Sequence, residues 1–180
     1  MEDEKAFISE LLNPATQNAA FRQLMAQYGR PLYSHIRNIV IDHDDTDDVL
    51  QNTFIKVFKN LPDFKGESKL FSWMYRIATN EAITFINQRA KKSGITNEEV
   101  RQKAVQNLQA DTYFEGDALQ IQLQQAVATL PEKQQLVFKM KYFEDLKYEE
   151  ISEIVGTSVG ALKASYHHAV KKIEEYINAL

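Results

Sequence analysis

Residues 146–170, Leu-Lys-Tyr-Glu-Glu-Ile-Ser-Glu-Ile-Val-Gly-Thr-Ser-Val-Gly-Ala-Leu-Lys-Ala-Ser-Tyr-His-His-Ala-Val, decide how the chain is read. They spell a short helix, a tight turn and a second helix. Ile151, Ile154 and Val155 form the inner face of the first helix. Gly156 supplies the turn, because a residue without Cβ adopts the left-handed backbone cheaply. Ser158 or Thr157 can cap the second helix, where Val159, Leu162, Tyr166 and Ala169 recur at helical spacing on the buried side. Lys163, Ala164, His167 and His168 are left on the opposite side, as the reading face of a recognition helix would be. The same pattern also suits two packed helices of any all-α protein.

Upstream, the apolar spacing is helical nearly throughout. Residues 16–40 read as one or two helices, with Pro31 able to kink or interrupt them because it lacks an amide proton. Asp42-His-Asp-Asp-Thr-Asp-Asp48 carries five acids. It caps and precedes a helix from about Thr46 to Leu61, and acids at that end complement the helix dipole. Pro62 ends that helix and residues 63–68 form a loop. Ser68 is placed as the N-cap of a long helix reaching about Ala90, with Phe71, Met74, Ile77, Ala78, Ile83 and Ile86 as its buried stripe. From Lys91 to about Asp117 the chain turns polar and reads as a linker with one weak helix. Helical pattern resumes from Ala118 to Thr129, restarts at Pro131 as a first-turn residue and continues to Tyr142. The last helix runs to about Ala179. The chain is therefore expected to be all-α, with helical domains at 1–92 and 118–180 and a flexible linker at 93–117.

Composition narrows the function. The 180 residues are 44% hydrophobic, enough for a core, and carry a net charge of −4. Such a balance argues against gripping DNA alone, since non-specific affinity comes from neutralising phosphates. The charge is unevenly spread, however. Residues 65–92 hold Lys65, Lys69, Arg76, Arg89, Lys91 and Lys92 against only Glu67 and Glu81. An acidic patch and a basic face on one small protein point to two different partners. No apolar run approaches the roughly 20 residues of a membrane span, and Met-Glu-Asp-Glu-Lys is no signal peptide. The absence of cysteine excludes disulfides and thiolate metal sites and suits a reducing cytosol.

Three blocks in register carry a family resemblance. Asp47-Asp-Val-Leu-Gln-Asn-Thr-Phe-Ile-Lys-Val-Phe58 resembles the polymerase-binding helix of the extracytoplasmic-function (ECF) sigma factors, the small two-domain specificity subunits of bacterial RNA polymerase. Phe64-Lys-Gly-Glu-Ser-Lys-Leu-Phe-Ser-Trp-Met-Tyr-Arg-Ile-Ala-Thr-Asn80 resembles their promoter-melting segment. Leu130-Pro-Glu-Lys-Gln-Gln135, Tyr148-Glu-Glu-Ile151 and Ser158-Val-Gly-Ala-Leu-Lys163 resemble their C-terminal helix-turn-helix domain. The resemblance covers nearly all of the chain outside the linker.

It implies a protein that binds the β′ and β subunits of core RNA polymerase and promoter DNA, in the cytoplasm. It implies no catalytic residue, no cofactor and no small-molecule substrate, and it leaves room for an anti-sigma partner. By the resemblance, Asp47, Asp48, Gln51, Asn52 and Lys56 face the polymerase, where carboxylates and amides pair well with arginine forks. Lys65, Gly66, Glu67, Ser68, Lys69, Trp73, Arg76, Asn80, Arg89 and Lys91 serve the −10 element. Gly66, Glu67 and Ser68 would shape a pocket for an unstacked base, the cations would hold phosphates, and Asn80 would read a base edge. Phe71 is assigned to the core, and Trp73 suits either core or stacking. Ser158, Val159, Gly160, Lys163, Ala164, His167, His168 and Lys171 would face the −35 element. This helix departs from the family in having Ala164, Ser165 and His168 at positions usually basic or hydroxyl-bearing, and Gln135 replaces the usual arginine of the preceding helix.

Other readings are weaker. Asp42-x-Asp44 would start a calcium loop, but its sixth position is Asp47 rather than glycine and its twelfth is Thr53 rather than glutamate. His167 and His168 point about 100° apart on a helix and share no metal. A helical phosphohydrolase built on His43-Asp44 lacks a second His/Asp set, a P-loop and a nucleophile motif. A free-standing helix-turn-helix regulator is the main alternative, and it would bind duplex DNA without polymerase.

Overall fold

In a computed structural model, residues 2–114 and 116–179 are described, and among them the ordered elements are helices. α1 spans Glu2–Leu12, α2 Gln17–Val40, α3 His43–Asn60 and α4 Leu70–Ser93. A 3-10 turn, Leu61–Asp63, follows α3. α5 (Asn97–Gln106) and a second 3-10 turn, Asn107–Ala110, cross the expected linker. α6 (Ala118–Ala128), α7 (Glu132–Tyr142), α8 (Tyr148–Val155) and α9 (Val159–Asn178) complete the chain.

Several boundaries differ from the sequence expectation for identifiable reasons. α2 runs through Pro31 as one helix. Ala20 and Leu24 before the proline and Leu32, Ile36 and Ile39 after it all lie in the core, so packing on both sides outweighs the lost hydrogen bond. α3 starts at His43, three residues early, because the Asp42 carboxylate accepts from the Asp45 amide. Ser68 does not cap α4. The N-cap is Lys69, without a side-chain cap, and the Leu70 amide instead donates to Glu4 Oε1 at 2.7 Å from α1. Pro131 sits at the N-cap of α7 rather than in its first turn. The weak helix of the linker is α5, with Thr96 and Glu99 forming a reciprocal capping box.

Helices α2, α3 and α4 make a three-helix unit around Leu24, Ile36, Val57, Met74 and Ile86. The same apolar cluster continues into Leu136, Val137, Met140, Ile151, Ile154 and Leu162 of the C-terminal half. The two halves therefore share one core, with α4 packed on α8 and α2 on α7. A smaller cluster of Val127, Leu130, Phe138, Ala169 and Ile173 ties α6, α7 and α9 together. Val105 and Leu108 pack with Ile41 and Ala128, which fastens the 93–117 segment to both halves. Arg37 pairs with Asp111 there. Burial would raise the Asp111 carboxyl, but hydrogen bonds from Arg37 and the Tyr113 amide hold it below its ordinary value.

Candidate nucleic-acid interface

On α3 the inward positions Val49, Thr53 and Val57 are buried, and Asp47, Asp48, Gln51, Asn52 and Ile55 are exposed. This follows from the 3.6-residue period, and it presents two carboxylates and two amides on one face. Asp47 lies 3.7 Å from His43 within the same helix. Lys56 is also exposed, and it pairs with Glu81 of α4. Beside the polar face, Phe21 of α2 meets Phe58 edge to face at 5.0 Å, and Met25, Ile55 and Phe58 stay partly open to solvent.

The loop before α4 exposes Lys65, Gly66 and Glu67, with Ser68 half-buried. Gly66 has φ 72°, the left-handed region that favours glycine, and this turns the loop back toward α1. Phe64, Lys65, Gly66, Ser68 and Lys69 line a cavity of about 530 Å³ that α1 closes with Glu4, Ile8 and Leu12. Trp73 is half-buried with its ring 4.9 Å from that of Phe64, and Phe71 packs on the core beside Tyr75.

Arg76 and Arg89 of α4, and Lys69 just before it, contact other parts of the protein. Arg89 pairs with Asp45 of α3 and lies 6.0 Å from the Phe85 ring centroid. Lys69 is 3.8 Å from Glu150 of α8, and the Arg76 guanidinium donates to the Glu153 carbonyl. Asn80 borders a cavity of about 450 Å³ between α4 and the helix-turn-helix, walled by Ile83, Val137, Ile154 and Leu162. Lys91 remains exposed near the end of α4. The helix expected to meet the −10 element thus lies against α8, and its polar edge runs along the seam between the halves.

The helix-turn-helix has the expected local form. Gly156 ends α8 with φ 71°, and Ser158 Oγ accepts from the Ala161 amide at the start of α9. Ile151, Ile154, Leu162 and Ala169 are buried, whereas Ser158, Gly160, Lys163, Ala164, His167, His168 and Lys171 are exposed and Val159 is half-buried. Lys163 sits 5.7 Å from the Tyr148 ring centroid, with Lys141 at 5.6 Å from the same ring. Lys171 is 3.9 Å from Glu175. The His167 and His168 rings are 6.0 Å apart, and among the described residues no group of three or more His, Asp or Glu is placed to hold a metal.

Two further buried polar groups stand out, Gln135, which the sequence had marked, and His35, which it had not. Gln135, in place of the expected arginine, is buried and donates to the carbonyls of Ala128 and Leu130 at 3.3 and 2.7 Å. His35 is fully buried between Glu144 and Thr79. Among the described residues no helix is long and apolar enough to cross a membrane.

A family profile for sigma-70 region 2 matches residues 24–92, and one for sigma-70 region 4 matches residues 120–173. The chain is 28% identical over 171 residues to the ECF RNA polymerase sigma-E factor of Haemophilus influenzae, covering 89% of each. It is 27% identical over 169 residues to the RNA polymerase sigma-H factor of Pseudomonas aeruginosa, covering 89% of this chain and 88% of that protein. The solved structure of CnrH in complex with the cytosolic domain of CnrY has the same fold, with a TM-score of 0.71 at 20% identity over 98% of this chain and 97% of that one. So does the sigma factor RpoE in complex with the anti-sigma factor NepR from Bartonella quintana, with a TM-score of 0.65 at 19% identity over 88% and 96%.

Proposed function

The chain belongs to the ECF family of RNA polymerase sigma factors, and from that membership we propose how its faces are used. It binds core RNA polymerase and directs promoter-specific transcription initiation. Residues 1–92 carry polymerase binding and −10 opening, residues 93–117 link, and residues 118–180 read the −35 element. Asp47, Asp48, Gln51 and Asn52 of α3 meet the β′ subunit. Arg89 and Lys91 hold phosphates beside Lys65 and Lys69, and Asn80 reads a base. Lys163, His167, His168 and Lys171 of α9 meet the −35 duplex. Lys56 serves chiefly to join α3 to α4, because Glu81 already neutralises it.

The observation that carries this reading is the opposite treatment of two polar edges in one shared core. The α3 acid-and-amide face is open to solvent and free of contacts to α8, whereas Arg76 of α4, though exposed, donates to the Glu153 carbonyl of α8. A free chain arranged this way can dock on polymerase before it can engage both promoter elements. Docking on core then separates the halves. The net charge of −4 supports the same order of events, since the isolated chain has little general affinity for DNA. Chemistry belongs to the polymerase in this reading, so the chain acts without catalytic residues of its own, and it acts where the polymerase is, in the cytoplasm. CnrH and RpoE are each solved with a protein partner, and an anti-sigma partner that keeps the halves together would suit this chain too.

Purified chain and core polymerase test the reading together. The chain is expected to co-elute with core, and spin labels on the two halves should move apart on binding. Binding to duplex promoter without core, with no gain when core is added, would favour the free-standing regulator instead.

A further inference from the structure

Ile41 joins α2 to α3 in a backbone conformation that its own side chain disfavours. Its φ is 76° and its ψ −40°, and among the described residues other than glycine only Asp145 shares a positive φ. For a β-branched residue this region is a strained outlier, which persists only where the surroundings over-determine it. Here the surroundings are the 93–117 segment. The Ile41 side chain is buried with Val105, Leu108 and Ala128, and Ala104 and Phe114 pack at the edge of that cluster.

Two polar contacts fasten the same segment on either side of Ile41. Arg37, whose carbonyl accepts from the Ile41 amide at 2.8 Å, pairs through its side chain with Asp111. His43 stacks on the Tyr113 ring, with centroids 3.7 Å apart and 22° between the planes. The Tyr33 hydroxyl lies 2.5 Å from His43 Nδ1 and fixes the imidazole beneath that ring. Tyr113 itself stays 66% exposed. Between these fastenings the segment spans rather than fills. A cavity of about 290 Å³ lies beneath it, lined by Ile41, Asp42, Ala104, Asn107 and Asp111. A segment held at a few points over a cavity belongs to the least stable part of a fold.

We propose that residues 104–114 form a strap that holds the α2–α3 corner strained, and that strap release and core polymerase binding favour each other. Ile41 is followed directly by Asp42, whose carboxylate caps α3 by accepting from the Asp45 amide. A corner that relaxes as the strap leaves therefore alters the start of the helix that carries Asp47 and Asp48. His43 joins the strap to that face, its Nε2 lying 3.7 Å from Asp47. The strap also ties the halves together, because Val105 and Leu108 share one cluster with Ile41 of α2's end and Ala128 of α6. It must let go when docking on core separates the halves, and the inference rests on that reading. The docked strap bears the cost of the strained corner, and release returns it. Whatever loosens the strap thus raises the affinity for core by the factor it adds to the released population.

Hydrogen exchange of the full chain reads both ends of this coupling without polymerase. Tyr113→Ala removes an exposed ring, and Leu108→Ala removes a buried anchor. They should speed exchange in residues 105–113 by several-fold and by about tenfold or more, respectively. The Asp45 and Thr46 amides, both bonded to Asp42, should speed up with them, while the middle of α4 stays protected. Ile41→Gly and Ile41→Ala lose nearly the same packing but differ in strain, since glycine takes positive φ freely. The strap should be about tenfold better protected in Ile41→Gly than in Ile41→Ala. Tyr113→Ala should also bind core polymerase several-fold more tightly than the parent in a fluorescence anisotropy titration. Unchanged exchange at Asp45 and Thr46 in both strap variants, equal strap protection in the glycine and alanine variants, or unchanged core affinity in Tyr113→Ala overturns the strap. Failure of the parent chain to bind core would instead defeat the sigma-factor reading, which the exchange measurements do not need.

Discussion

Gln135 replaces an arginine and became part of the interior, where its amide ties the end of α6 to the start of α7. Gln135→Leu keeps the volume but leaves two buried carbonyls without a donor, so it should cost about 1–3 kcal/mol in urea unfolding. Lys139, on the same helix, carries a pH signature. Its folded value lies near 7 against an ordinary 10.5, so folding excludes a proton between those values. The penalty is absent above the ordinary value, grows as pH falls and is complete by about 7. Lys139→Met should therefore be more stable than the parent at pH 7, with the difference shrinking toward pH 10, as thermal unfolding at several pH values would record. Lys163 rests on Tyr148, a contact worth about 0.5–1 kcal/mol that DNA must outbid. If Lys163 contacts a base, Lys163→Ala should relax preference at one −35 position; if it contacts a phosphate, binding to all promoters should weaken and the salt slope fall by about one.

At the scale of elements, α3 and α9 were legible because a 3.6-residue period separates buried from open positions. Val49 and Val57 against Asp48 and Gln51, and Leu162 and Ala169 against Lys163 and His168, fall on the sides that spacing dictates. What spacing could not show is which helix supplies a missing partner. Ser68 looked like the cap of α4, yet Glu4, 66 positions away, takes the Leu70 amide, and α1 itself went unread. Lys56 lies exposed on the α3 face, and spacing could not show that Glu81 of α4 pairs with it. Glu4→Ala should therefore destabilise the N-terminal unit by about 1 kcal/mol, as loss of an acidic acceptor at a helix start does, and Ser68→Ala should not. Chemical denaturation of both variants distinguishes the two caps. On α3, Asp48→Arg with Gln51→Ala should abolish co-purification with core polymerase while the circular dichroism of the chain stays unchanged. Reversing a charge at such an interface costs a few kcal/mol. Retention of β′ by that double variant would reassign the face.

The whole molecule is where the sequence was least legible. Two helical units were evident, but not that Leu136, Ile151 and Ile154 share a core with Met74 and Ile86. That arrangement depends on contacts such as His35 with Glu144, separated by 109 positions, and no periodicity encodes them. Its consequence is that one side of α4 lies against α8 while Arg76, Asn80, Arg89 and Lys91 stay exposed. Asn80 borders the seam without being buried, so Asn80→Ala should leave the fold and core binding alone. It should reduce open-complex formation on duplex promoter far more than on a template already bubbled at −10, as permanganate footprinting would report. Equal loss on both templates would make Asn80 a mere support.

Run-off transcription with reconstituted components reaches the central claim most directly. Core polymerase with the purified chain, offered a library of promoter fragments, should yield discrete RNA 5′ ends downstream of one shared pair of −35 and −10 elements, absent with core alone. Transcription unchanged by the chain, while the chain binds duplex DNA unaided, would contradict the account.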